Sequence, residues 1–303
     1  MNNGDVLQSR PAPAPRIDGV ARTVGEVVAS MAETIGSHDE ARELLALLHD
    51  MPRHWPSVAR DEPMSASDAA AAMAAAIRRV TGMPMEYAAG RANFRHLTLH
   101  VDARVLIPRP ETEVLVDLVL DLTRNETGGT AVDVGTGSGA IAIALATEGT
   151  FARVIATDLS LDALAIARGN VARHAHASAT AVELRHGSLL GPVSDHGLRA
   201  VVSNPPYIAF AEAGTLPRAV RDWEPPVALF SAQEGMAAAA RLVRDAAALL
   251  APHGVLALEV DARQAATIAA LAVSHGVYAD VRVMQDLTGR ERFVVARRRE
   301  EQG

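Results

Sequence analysis

The chain has 303 residues, 49% of them hydrophobic and 21% charged, enough apolar material for a sizeable core and a length that suits about two domains. Its 29 basic against 36 acidic residues leave a formal charge of −7, a poor balance for gripping a long phosphate backbone. Cysteine is absent, which excludes disulfides, thiolate metal sites and cysteine nucleophiles; every basic residue is arginine, which excludes Schiff-base lysine chemistry and a P-loop lysine.

No apolar run reaches the roughly 18 residues that a membrane span needs. The opening MNNGDVLQSRPAPAPR lacks the apolar core of a secretory signal, so the expectation is a cytoplasmic protein with no membrane partner. Residues 1–20, rich in proline and alanine, are expected to form a disordered tail. Thr23 with Glu26 and Ser37 with Glu40 have the spacing of capping boxes. The second box opens a helix with Leu44, Leu45, Leu47 and Leu48 on one stripe. Three prolines between Met51 and Pro63 interrupt the helical pattern, and Ser65 or Ser67 caps a further helix to about Val80. Residues 21–85 therefore read as a small helical domain.

Over 86–108 the period changes to two: Leu97, Leu99 and Val101 alternate with Thr98, His100 and Asp102. This predicts a β-hairpin linker, with Phe94 leading in and Val105 to Ile107 returning. Pro110 suits the first position of a helix from Glu111 to about Arg124. The rest of 109–303 alternates strands with helices. The predicted strands are Ala131–Gly135, Arg153–Asp158, Ala181–Arg185, Ala200–Ser203, Gly254–Val260, Tyr278–Met284 and Arg292–Ala296. The predicted helices are Ala140–Thr147, Leu161–Ala175, Ala237–Leu250 and Arg263–His275. Such alternation means an α/β fold with a doubly wound sheet. Only the loop Gln285–Glu291 separates the last two strands, so they are expected to pair antiparallel at one edge. Arg297 to Glu300 reads as a solvated charged tail.

Two motifs carry chemistry. The first strand runs into Gly135-Thr136-Gly137-Ser138-Gly139-Ala140, glycines at alternate positions before a helix. That arrangement gives a tight turn, close backbone approach by a ligand and the positive end of a helix dipole. Asp158 ends the second strand, where its carboxylate can take both ribose hydroxyls. The loop indicates an adenosine-containing cofactor without saying which, because it also fits the relaxed dinucleotide fingerprint.

The fourth strand ends in Asn204-Pro205-Pro206-Tyr207. Ligands in an open α/β sheet lie beyond the carboxyl ends of the strands, which puts Asn204 beside the cofactor. The prolines hold the backbone extended, so the Asn204 side-chain oxygen and the Pro205 carbonyl form a pair of acceptors for one planar NH2 group. Tyr207 can stack on that group's face. Accepting both N–H bonds orients a poor nitrogen nucleophile and pushes electron density onto it, so that positioning supplies most of the catalysis, with no metal.

Together these residues resemble the class I S-adenosyl-L-methionine-dependent methyltransferases with an NPPY motif, and more narrowly the HemK-type release factor glutamine N5-methyltransferases. Three further segments are similar to that family: Val105-Leu106-Ile107-Pro108-Arg109-Pro110-Glu111-Thr112-Glu113, Trp223 to Phe230 (WEPPVALF), and Asp286 to Arg292 (DLTGRER). The resemblance covers about Gly82 to Arg297. It implies a Rossmann-like seven-stranded sheet with the last strand antiparallel. It also implies S-adenosyl-L-methionine as cofactor and the glutamine of the Gly-Gly-Gln loop of class 1 peptide chain release factors as substrate. By that resemblance Gly135, Thr136, Gly137, Ser138, Gly139, Asp158, Ser188, Leu189 and Asn204 would bind the cofactor. Asn204, Pro205, Pro206 and Tyr207 would hold the glutamine amide, with Asn204, Pro205 and Tyr207 catalytic. The N-terminal helices and the hairpin would contact the release factor outside its glutamine loop. A monomer with no direct nucleic-acid partner is expected. Ser188 stands where the family usually has Asp, and Leu189 where some members have Trp, on the adenine side. Ser231-Ala232-Gln233-Glu234-Gly235 is read as a loop variation.

Glu111 and Glu113 suit either a role in the site or simple complementarity to a helix dipole. His174 and His176, two apart, do not share a helical face and read as surface residues. Three other activities use parts of the same pattern: glutamine methylation of a ribosomal protein, adenine N6 methylation of nucleic acid, and nicotinamide-dependent hydride transfer. The last gives no reason for Asn204 to Tyr207, and base methylation calls for a basic groove.

Overall fold

The computed structural model describes residues 22–300, so the tail expected over 1–20 lies outside the described residues. The chain forms two compact units, one ending at Val80 and the other beginning at Thr81.

In the first unit, helix α1 (Val24–Ile35) carries its capping box in full. Thr23 Oγ1 accepts from the Glu26 N–H at 3.3 Å, and the Thr23 N–H donates to Glu26 at 2.8 Å. In α2 (His38–Leu48) only half of the expected box forms: Ser37 caps Glu40, but the Glu40 carboxylate pairs with Arg79 at 3.0 Å instead of reaching back. An available guanidinium outcompetes one neutral N–H for a carboxylate. Ser65 is the cap of α3 (Ala66–Val80), accepting from the Asp68 N–H at 3.1 Å. Val27, Met31, Leu44, Leu45, Ala72 and Ala76 are buried between the three helices.

The second unit opens with a hairpin whose partners differ from those expected. Arg91–Phe94 pairs antiparallel with Leu97–His100 through a two-residue turn, with Arg95 in the left-handed region at φ +54°. The shortest closure wins over a return by Val105 to Ile107. Val105 and Ile107 are nevertheless buried, against Tyr87, Ala163 and Ile166. The alternation itself holds: Leu97, Leu99 and Val101 are buried and His100 is exposed.

Helix α4 (Pro110–Thr123) leads into the sheet, built from β1 (Thr130–Val134), β2 (Arg153–Asp158), β3 (Ala181–His186), β4 (Leu198–Ser203), β5 (Leu250–Glu259), β6 (Tyr278–Gln285) and β7 (Glu291–Arg298). The seven strands lie in the order β6-β7-β5-β4-β1-β2-β3. Strands β5, β4, β1, β2 and β3 pair in parallel, and β7 is antiparallel to both β5 and β6. The last two strands thus pair as expected, with β6 forming the edge. Arg297 and Arg298 belong to β7 rather than to a solvated tail: the Arg297 guanidinium reaches back to the His253 carbonyl at 2.9 Å.

The main helices between strands are α5 (Ala140–Glu148), α6 (Leu161–His174), α7 (Ala237–Leu249) and α8 (Ala265–His275). Helices α4 and α5 cover one face of the sheet, α7 and α8 the other. This is the three-layer α/β architecture of a doubly wound sheet. The strand order reverses between β1 and β4, which places a crevice at their carboxyl ends. Among the described residues no helix is long and apolar enough to cross a membrane.

Candidate active site

The crevice holds both motifs. β1 is buried from Ala131 to Val134, and its end is followed by Gly135, Gly137 and Gly139 with φ of +74°, +55° and +87°. At the first two of these positions a Cβ would meet nothing within 4 Å, so the missing side chains leave open space for a ligand along the backbone. At Gly139 a Cβ would press on Ile143 and Ala167; this glycine lets α5 and α6 approach. Asp158 grips the loop, its carboxylate accepting from the Gly137 N–H at 2.9 Å and the Ser160 N–H at 2.8 Å. The buried Asn170 amide ties the loop to the hairpin by donating to the Ser138 and His100 carbonyls at 2.8 and 2.9 Å. Nothing in the sequence pattern singles Asn170 out, because both partners lie far from it along the chain.

Gly135, Gly137, Asp158, Ser188, Leu189, Asn204 and Pro206 line one open cleft. Leu189 reaches it with φ +51°, its carbonyl held by the Thr157 hydroxyl at 2.9 Å. An adjoining cavity is lined by Leu106, Arg109, Asn204, Tyr207, Leu216 and Val220 among others. Thr136 and Ser138, themselves buried, line a third between the glycine loop and α4. Asn204 and Leu106 border all three spaces. Pro205 is buried and lines none of them.

Asp133 lies at the base of the loop, fully buried. Its Oδ2 accepts from the Thr136 hydroxyl at 2.6 Å and the Ala142 N–H at 3.0 Å, while Oδ1 has no partner. Burial pushes this carboxyl up to about 7, although both hydrogen bonds pull it down. In the unfolded chain it titrates near 4, so the stability it contributes is complete below about pH 4 and is lost as pH rises through about 7. Thermal unfolding should therefore occur at falling temperature between about pH 4 and pH 7, and Asp133→Asn should remove that part of the slope. Parallel profiles for the two proteins would show that Asp133 does not titrate in this range.

The segment Arg109 to Glu113 works as a staple. Arg109 pairs with the buried Glu224 at 2.5 Å, and Glu111 accepts from Arg290 at 3.0 Å. Glu113 caps the hairpin turn by accepting from the Arg95 N–H at 2.9 Å. Neither glutamate borders the three spaces described above, and each has a partner within the unit, Glu111 in Arg290 and Glu113 in the Arg95 N–H. Thr112 accepts from Asn204 Nδ2 at 3.0 Å and donates to Glu259 at 2.7 Å. Glu259 in turn accepts from Arg292 at 3.1 Å, and Arg292 donates to the Tyr207 hydroxyl at 2.9 Å with its guanidinium 5.0 Å from the ring centre. Burial raises the carboxyl of Glu259 and the phenol of Tyr207 above their ordinary values, so Tyr207 stays neutral.

The Ser231–Gly235 loop, read from sequence as a loop variation, also makes long-range contacts. The Gln264 side chain donates to the carbonyls of Tyr207 and Glu234 at 3.0 and 2.9 Å, and Ile208–Ala209 pairs with Phe230–Ser231. The loop is thereby the seat of Tyr207. Glu259 and Gln264 were missed from sequence, and Thr112, Arg292 and Gly235 stood there only inside quoted segments, with no role assigned to them. Their partners lie 30 to 147 positions away, and no spacing rule reaches that far.

The methyltransferase small domain family matches residues 111–216. A release factor glutamine methyltransferase of Gloeobacter violaceus is 43% identical over 70% of this chain and 74% of its own. The corresponding Deinococcus radiodurans protein is 43% identical over 73% and 77%, and that of Xylella fastidiosa (strain Temecula1) 37% over 85% and 92%. Among solved structures, a methyltransferase from Pyrococcus furiosus superposes with a TM-score of 0.52 at 18% identity, covering 68% of this chain and 91% of that one; this bears on fold alone. With its seven-stranded sheet and these relatives, the chain belongs to the release factor glutamine methyltransferase family.

Proposed function

We propose that the protein transfers a methyl group from S-adenosyl-L-methionine to the side-chain amide nitrogen (N5) of the Gly-Gly-Gln glutamine of class 1 peptide chain release factors. The observation that carries this reading is the position of Asn204, on the shared border of the glycine-loop cleft and the Tyr207 cavity. A donor in one space and an amide in the other would meet at that side chain.

The first cleft suits S-adenosyl-L-methionine. Open Cβ positions at Gly135 and Gly137 would leave room for its methionine end along the backbone, and the Asp158 carboxylate, on the same cleft, would accept from its ribose hydroxyls. Ser188 and Leu189 line the same cleft, and the family resemblance would set them on its adenine side. When bound, S-adenosyl-L-methionine supplies a methyl group activated by a sulfonium centre.

The chain's own residues prepare the acceptor. The Asn204 oxygen and the Pro205 carbonyl accept the two N–H bonds of the glutamine amide, and Pro205 and Pro206 present no competing N–H. The neutral Tyr207 ring closes over the amide. Because the nitrogen is oriented and electron-enriched by acceptors already in place, positioning and electrostatics lower the barrier without a strong base.

Asp158→Ala should weaken cofactor binding by roughly 10- to 100-fold, the value of losing hydrogen bonds to a charged group. Calorimetric titration with unchanged affinity would remove Asp158 from the site. Labelled S-adenosyl-L-methionine offered with a release factor, a ribosomal protein and DNA tests the substrate class. Label is expected in the release factor; label only in one of the others would transfer the reading to that acceptor.

A further inference from the structure

The Asn204 side chain is useful only in one of its two orientations, since an oxygen toward the substrate accepts an N–H and an NH2 group there would repel it. The two are nearly isosteric, so something must choose between them. Asn204 Nδ2 lies 3.0 Å from Thr112 Oγ1, and Thr112 Oγ1 lies 2.7 Å from Glu259 Oε2. Thr112 is 5% exposed and Glu259 is fully buried, so water does not compete for either. A hydroxyl has one proton. With that proton on the carboxylate, Thr112 can only accept from Asn204, and the amide must turn its NH2 inward. Glu259 itself is held by Arg292, which donates to its other oxygen and to the Tyr207 hydroxyl.

Resting on the function proposed above, we infer that Glu259 is a positioning residue that acts through the Thr112 hydroxyl to fix the Asn204 amide with its oxygen toward the substrate. The same carboxylate anchors Tyr207 through Arg292, so one buried charge orients both ends of the tetrapeptide. The residues concerned come from α4, the end of β4, the end of β5 and β7.

The substitution Glu259→Gln reverses the polarity of the chain. Arg292 has only donors, so the new amide turns its oxygen to Arg292 and its NH2 to Thr112. Thr112 then accepts there and donates to the Asn204 oxygen, and the Asn204 NH2 is turned to the substrate. The expected result is a fall in kcat of roughly 10- to 1,000-fold, the range for losing one preorganised polar contact to a reacting group. The KM for release factor should change little, because contacts outside the glutamine dominate the binding of a protein substrate.

Thr112→Val breaks the relay but leaves the amide free to choose, so kcat should fall less, and Thr112→Ser should restore it. In the Thr112→Val background, Glu259→Gln should add almost nothing, whereas two independent structural lesions would multiply. Additive losses, or Glu259→Gln with the kcat of the parent protein, would overturn the inference. If Glu259→Gln does not fold, the valine and serine variants decide: equal kcat in both overturns it, and a loss confined to valine supports it. The parent protein and Asn204→Ala keep the readings apart. A parent protein that leaves the release factor unmethylated would remove the proposed function itself, normal turnover in Asn204→Ala would remove the acceptor-pair mechanism, and an inactive Asn204→Ala beside fully active relay variants would remove only the relay.

Discussion

Asn204→Ala is expected to lower kcat for methyl transfer by at least roughly 10²- to 10³-fold while leaving the fold intact. The magnitude follows from what the side chain does. Its oxygen is one of two acceptors that orient the substrate nitrogen, it sits on the border of both cavities, and its position is fixed by Thr112. Truncation leaves the Thr112 hydroxyl bonded to Glu259, so no buried donor is stranded and little stability is lost. Rapid-quench kinetics, with cofactor calorimetry and thermal melting as controls, check this. Near-normal turnover would refute the acceptor-pair mechanism.

Gly235→Ala is expected to cost both stability and turnover. Gly235 has φ +88°, and a Cβ there would lie 2.0 Å from the Tyr207 carbonyl oxygen and 2.6 Å from Gln264 Nε2. Left-handed strain and overpacking each cost about 1–3 kcal/mol, so a loss of about 2–6 kcal/mol in denaturant unfolding is predicted. Relief comes only by moving the Tyr207 backbone, and a shift of about 1 Å at a positioned group can lower kcat roughly 100-fold. Gln264→Ala removes the two bonds that hold the same carbonyl and the loop without adding bulk. It should share the loss of turnover with a smaller loss of stability. Parent-like unfolding and turnover in Gly235→Ala would show that the loop does not seat Tyr207.

The parts of the molecule that could be read along the chain are those set by neighbours in sequence. Alternate glycines after a buried strand, an acid at the end of the next strand and the Thr23 cap all act within a few residues. The strands of the sheet were likewise visible as apolar runs between turns, with ends within a few residues of those observed. What could not be read was pairing over distance. The hairpin took Arg91–Phe94 as its partner strand because a two-residue turn closes it, although Val105 to Ile107 has the same apolar character. Glu40 found Arg79 in place of its own N-cap. Glu111 and Glu113 were ambiguous until Arg290 and the Arg95 N–H appeared beside them.

The candidate site divides in the same way. The sequence-predicted residues Gly135, Gly137, Asp158, Ser188, Leu189 and Asn204 share one cleft, because each ends or follows a strand at the same edge of the sheet. The support beneath them was invisible: Thr112, Glu259 and Arg292 belong to a helix and two strands that meet only in the fold. That support also gives a physical reason for the Arg109 to Glu113 segment. Its four polar side chains each hold a different part of the unit: Glu224, Arg290, the Asn204–Glu259 pair and the hairpin turn.

The most direct test of the account is fragmentation mass spectrometry of a class 1 release factor after incubation with this protein and S-adenosyl-L-methionine. A single methyl group on the side-chain amide of the Gly-Gly-Gln glutamine, absent when Asn204→Ala replaces the parent protein, is the predicted result. An unmodified glutamine in the presence of bound cofactor, or a methyl group on any other residue, would contradict it.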